Sequence, residues 1–178
     1  MKIFLEAFVD TNFGDNLFVH TIVNRYSKHE FYMIPNSGYE ESYNKLLLHE
    51  KNIRLVELEQ EETVLEEIDG MIIVGGDMFW DYGDYTSIIR RMGTVKKNQG
   101  WLAILGISLF ENYSVVTTET LKEIFLLADH IVVRDKQSFA QVKRIAKEAN
   151  ATLAADMAVT FNLNKVKRIK PLQGVLGV

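Results

Sequence analysis

The sequence predicts an α/β fold built on an open parallel sheet with helices on both faces. Short apolar runs recur between segments of helical period along the 178-residue chain, the pattern left by strands alternating with helices. Most of those runs are apolar on both faces rather than on one, as strands covered on both sides should be. With 47% of its residues apolar, a chain of this length forms one compact domain and buries about two-thirds of its unfolded surface.

The first strand is expected over Lys2 to Val9, an apolar run interrupted by Glu6 and lacking the small-residue cleavage site of a secretory leader. Further strands follow over Glu30 to Ile34, Ile53 to Val56, Gly70 to Val74, Trp101 to Leu105, His130 to Arg134 and Thr152 to Ala155. Leu121, Ile124, Phe125 and Ala128 share one helical face, with Thr120 and Glu123 spaced as a capping box. A second helix follows Asp135, with an apolar stripe of Phe139, Val142, Ile145, Ala146 and Ala149. Other helices are expected after Asp15, around Tyr39 to His49 and around Asp84 to Lys97. The basic stretch from Lys165 to Pro171 reads as a linker, and Gly174 to Val178 as the opening of another buried strand. The expected organisation is therefore one domain over residues 1–164, then a linker and the start of a second domain over 165–178.

Composition excludes several classes. Lysine and arginine total 20 against 24 acids, a net charge of -4 without a basic block, so no nucleic-acid partner is expected. The absence of cysteine removes disulfides, thiolate metal sites and cysteine nucleophiles, and fits a cytoplasmic setting. The longest apolar stretch, Trp101 to Phe110, falls well short of the roughly 20 residues that span a bilayer, so no transmembrane segment is expected. His20, His29, His49 and His130 are scattered without metal-ligand spacing, and no metal is expected. Neither a G-x-G-x-x-G turn, a P-loop nor a G-x-S-x-G elbow occurs.

In an open parallel sheet the ligand crevice lies beyond the carboxyl ends of the strands, and four strand exits carry candidate residues. Thr11-Asn12-Phe13-Gly14-Asp15-Asn16 leaves the first strand, with Gly14 suited to a tight turn and Asp15 or Asn16 to capping the next helix. Such a helix start either is merely capped or binds an anion. Gly75-Gly76-Asp77 ends the fourth strand; the glycines allow close approach of a ligand, and Asp77 is placed to accept a proton from a sugar hydroxyl. Phe79, Trp80, Tyr82 and Tyr85 just beyond either stack on a sugar ring or pack the loop. At the third exit Gly106 suits a tight turn and Ser108 offers a donor, although a plain turn accounts for both. At the fourth, Asp135 is a natural N-cap and Arg134 a cation at the sheet edge, paired with Asp135 in a purely structural reading.

Taken together and in this order, these exits resemble the polysaccharide pyruvyl transferase family, whose first domain carries an N-F-G-D-N/E turn, a G-G-G loop, an R-D/E-x-x-S helix start and a D-P-A turn. Here they are Asn12-Phe13-Gly14-Asp15-Asn16, Gly75-Gly76-Asp77, Arg134-Asp135-x-x-Ser138 and Asp156-Met157-Ala158, with Asp77 in place of the third glycine and Met157 in place of the proline.

The resemblance implies a Rossmann-like domain that is the N-terminal half of a two-domain fold similar to the GT-B glycosyltransferases, with the active site between the halves. It implies transfer of the enolpyruvyl skeleton of phosphoenolpyruvate, a co-substrate rather than a cofactor, onto two hydroxyls of a glycan or lipid-linked sugar. It also implies that this half faces the acceptor and is inactive without the second domain. Asp15 and Asp77 are then the candidate bases, and Asn12, Gly14, Asn16, Gly75, Gly76, Ser108, Arg134 and Ser138 the candidate substrate-binding residues. Half of a sugar-nucleotide glycosyltransferase and a non-catalytic carbohydrate-binding or scaffold domain remain the other readings, since a fold does not fix a function.

Overall fold

The computed structural model describes residues 1–9, 13–36, 38–47, 50–156 and 159. In chain order they form β1 (Lys2–Ala7), α1 (Phe13–Arg25), β2 (Glu30–Met33), α2 (Glu40–Leu47), β3 (Ile53–Leu55), a 3-10 turn (Leu58–Gln60) and α3 (Glu61–Glu66). These are followed by β4 (Gly70–Val74), α4 (Thr86–Lys97), β5 (Trp101–Ile107), α5 (Val115–Leu127), β6 (His130–Val133), α6 (Lys136–Ile145) and β7 (Ala151–Leu153). The strands make one sheet in the order β3-β2-β1-β4-β5-β6-β7, and every pairing is parallel. This Rossmann-like order reverses direction between β1 and β4, which pair from Ile3 with Gly70 to Ala7 with Val74.

The alternation of side chains along each strand feeds two cores, one on each face. Phe4, Met71, Ile73, Leu102, Ile104 and Ile131 point to the face packed by α3, α4, α5 and α6. Ile3, Leu5, Ile72 and Val74 point to the other, which Phe18, Val19, Ile22 and Val23 of α1 and Tyr43 of α2 cover. All five residues of β4 are buried, which is why its sequence shows no alternation. Tyr43 is fully buried; its hydroxyl donates to the Ala7 carbonyl at 2.9 Å and accepts from Asn36 Nδ2 at 3.2 Å. Burial pushes that phenol up to about 12.

All seven expected strands form, and local structure departs from expectation in four places. Helix α1 begins at Phe13, so Asp15 and Asn16 lie within its first turn and do not cap it. Helix α5 starts five residues before Thr120: Ser114 is its N-cap, its Oγ accepting from Thr117 N at 3.3 Å. Thr120 Oγ1 instead donates to the Val116 carbonyl inside the helix, so Thr120 and Glu123 form no capping box. Gly106 is not at a strand exit. It sits within β5 at a register shift against β6, with φ +73°, a conformation that glycine adopts without strain. Finally, the six-residue α3 between β3 and β4 is too short to leave a helical period in the sequence. Asp135, by contrast, caps α6 as expected, accepting from Ser138 N at 2.7 Å.

Among the described residues no helix is long and apolar enough to cross a membrane. His49, Asn12, Met157, Ala158 and the expected linker and strand over 165–178 lie outside the described residues.

Candidate active site

Beyond the carboxyl ends of β1 and β4 lies a cavity of 780 Å³. The strand order reverses at this point, so the helices that follow β1 and β4 pack on opposite faces of the sheet and leave a crevice at the strand ends. One wall of the cavity is built from loops and the other from α4.

The loop wall joins three of the strand exits singled out in the sequence. Asp15, in the first turn of α1 where the helix dipole favours a carboxylate, accepts a 3.5 Å hydrogen bond from Gly76 N through Oδ1. Arg134, at the end of β6, reaches across the same loop: Nη2 lies 3.5 Å from Asp77 Oδ1 and Nη1 donates to Asp156 Oδ2 at 3.0 Å. Its Nε donates to Ser108 Oγ at 2.6 Å. The partners of Arg134 are thus Asp77 and Asp156 on other loops, which corrects the structural reading that paired it with Asp135. On an extended backbone neighbouring side chains leave in opposite directions. Asp135 turns inward, accepting from Ser138 N, Ser138 Oγ and Ser108 Oγ. Burial opposes its charge, but these hydrogen bonds outweigh burial and hold its carboxyl below the usual range.

Of the residues singled out in the sequence, Gly14, Asp15, Gly76, Asp77 and Arg134 line the cavity. Ser108 stands one hydrogen bond behind it, fixing Arg134. Ser138 is fully buried, donating to Asp135 and accepting from Leu109 N at 2.8 Å; it locks the loop after β5 onto α6. Gly75 is buried against Met78, where a Cβ would fall 2.4 Å from Cγ. Asn16 follows in α1, half-buried. The four aromatics divide: Phe79 and Tyr85 belong to the core, while Trp80 and Tyr82 are exposed. Trp80 lines the cavity.

The α4 wall holds charged residues that sequence reasoning passed over. Glu6, next to the carboxyl end of β1, accepts from Arg91 Nη1 at 2.7 Å. Arg91 also pairs through Nε with Glu61, and Arg90 Nη2 approaches Glu61 Oε2 at 2.5 Å. Beneath them the Arg91 guanidinium carbon lies 5.5 Å from the centre of the Phe4 ring, a cation–π contact. Burial raises the Glu6 carboxyl above its ordinary value, against the pull of Arg91. Burial works the same way on Glu61, but hydrogen bonds from both arginines outweigh it and the carboxyl is lowered. The signal for this network was the one charge inside the first apolar run, since a buried strand carries an acid only when a partner meets it.

Chemically the cavity is rich in acceptors. Among the described residues, five carboxylates (Glu6, Asp15, Asp77, Asp84 and Asp156) face two cations (Arg91 and Arg134), and each cation is already held by two carboxylates. Such walls suit a neutral, hydroxyl-rich ligand better than a free anion. Among the described residues no group of His, Cys, Asp and Glu is arranged to hold a metal ion.

No curated protein matches this chain. The family model described as polysaccharide pyruvyl transferase matches it over residues 7–176, a span that takes in the cavity-lining residues other than Glu6. The chain belongs to the polysaccharide pyruvyl transferase family.

Proposed function

We propose that this chain is the acceptor-side domain of a ketal pyruvyl transferase that works with a second GT-B-like domain and is inactive without it. Family membership and the Rossmann-like sheet support the reading. The observation that carries it is that the first turn of α1 and the glycine loop after β4 meet in one cavity, Asp15 against Gly76 N.

The reaction joins C2 of phosphoenolpyruvate to two sugar oxygens. The methylene carbon gains one proton, each hydroxyl loses one, and the second proton leaves with the phosphate as the C2–O bond to it breaks. On this chain Asp15 takes the proton of the attacking hydroxyl, with Asp77 as the second base on the same loop wall. Arg134, fixed between Asp77 and Asp156, orients those carboxylates. The cations that neutralise the donor's carboxylate and phosphate come from the second domain in this scheme, because among the described residues both arginines of the cavity are already paired.

The test is release of phosphate from phosphoenolpyruvate by the polypeptide as its native source produces it, with and without added glycan. Glycan-dependent release is expected, and Asp15→Asn should abolish it with little change in Tm. Turnover of a sugar nucleotide alone would replace this reading with a glycosyltransferase. Glycan binding without any turnover would replace it with a binding domain.

A further inference from the structure

We infer that the α4 wall of the cavity is an anchoring subsite for a pyranose ring, with Trp80 as the stacking platform and the Glu6–Arg91 pair reading neighbouring hydroxyls. Its residues are other than the Asp15 and Asp77 pair assigned to transfer, and it rests on the reading that the cavity takes a glycan.

Trp80 is 54% exposed yet stands on a loop tied down on both sides. Its own carbonyl accepts from Tyr85 Oη at 2.6 Å, and the carbonyl of fully buried Phe79 accepts from Tyr113 Oη at 2.8 Å. The following Asp81 carboxylate accepts from Ser114 N at 3.0 Å and Ser114 Oγ at 2.7 Å, and Tyr82 N donates to Thr117 Oγ1 at 3.0 Å. A single exposed aromatic is ordinary on a protein surface. An indole held at a cavity rim by an anchored loop is a preorganised apolar plate, which loses little freedom when a ring settles on it.

The Glu6–Arg91 pair is equally fixed. Both side chains are nearly buried, 14% and 12% exposed, and both reach the cavity. Placing an ion pair there contributes little to stability, since apolar side chains of similar volume do as well or better. What the pair supplies is a rigid donor beside a rigid acceptor. Clamped by Glu61 and resting over Phe4, Arg91 can give a hydrogen bond to one sugar oxygen while Glu6 takes one from the next hydroxyl. Charge argues against a phosphorylated ligand on this wall: Arg91 is balanced by two carboxylates, and Asp84 adds a further negative charge. The volume of 780 Å³ lies high in the range of about 300–1,000 Å³ for small-molecule sites, with room for an anchoring ring beside a reacting one.

The test is saturation-transfer NMR on the 178-residue chain with lactose, cellobiose and methyl α-mannopyranoside, with uridine as the nucleobase control. At least one pyranoside should bind. Its affinity should fall roughly tenfold, the equivalent of about 1.4 kcal/mol, in both Trp80→Ala and Glu6→Gln. Trp80→Ala serves as the variant that leaves the core untouched, because Trp80 is more than half exposed and outside both core clusters. Absence of pyranoside binding, equal binding by both variants, or stronger binding of uridine overturns the subsite. Loss of the subsite with glycan-dependent phosphate release intact leaves the transferase reading standing. Pyranoside binding that needs Trp80, with no release from phosphoenolpyruvate, sinks the transferase reading and keeps the subsite.

Discussion

The guanidinium of Arg134 rests on the backbone of Gly76: a Cβ at position 76 would lie 2.9 Å from Nη2 and 3.2 Å from Nη1. Glycine is needed there for close approach, and the group it admits is the same one that holds Asp77 and Asp156. Gly76→Ala should therefore swing the arginine away and release both carboxylates. Because the obstacle is the far end of a flexible side chain, Tm should change little. Glycan-dependent phosphate release should drop at least tenfold. A Tm loss without any activity loss would make Gly76 a folding glycine.

Ser138 connects the loop after β5 to the start of α6. Ser138→Ala leaves the buried Leu109 N–H without its 2.8 Å acceptor and removes a donor from Asp135. The expected cost is about 1–3 kcal/mol in urea unfolding, the range for a stranded buried polar group. An unchanged unfolding midpoint would show that water replaces the hydroxyl.

Tyr43 fastens α2 to the end of β1 through the Ala7 carbonyl. Tyr43→Phe keeps the ring in its fully buried place and strands that carbonyl, so a loss of about 1–2 kcal/mol is expected. The same unfolding measurement checks it, and a neutral result would assign the stabilisation wholly to ring packing.

Glu61 links stability to pH. Its carboxyl is lowered from 4.5 by Arg91 and Arg90 despite burial, so its contribution is fully present above 4.5 and is lost as pH falls through the lowered folded value. Glu61→Gln should cost about 3 kcal/mol at neutral pH, as when a buried pair is broken, and progressively less as pH falls below 4.5. Burial gives Glu6 the opposite sign: its carboxyl is raised, so the associated stability is present below 4.5 and is lost as pH rises through the raised value. A pH-independent cost for Glu61→Gln would remove Glu61 from this account.

Much of this protein was legible in its sequence, because the features concerned are local or periodic. The strands showed as short, mainly apolar segments between helical ones, most plainly β4, which is buried at every position and leaves no polar residue to break the run. Helix α6 and its cap at Asp135 followed from a stripe and a capping residue a few positions apart. The order of the strand exits carried the family.

What the tertiary structure decided is which distant residues meet. Asp15 and Gly76 are 61 positions apart, and Glu6 and Arg91 are 85 apart; no local pattern couples them. Arg134 has an acid beside it in sequence and takes its partners elsewhere, because consecutive side chains of an extended segment face opposite ways. The division of Phe79 and Tyr85 into the core from Trp80 at the cavity rim likewise depends on what packs above the loop. Residue type and spacing set the sheet and its helices, while the reversal of strand order between β1 and β4 brings these residues into one cavity.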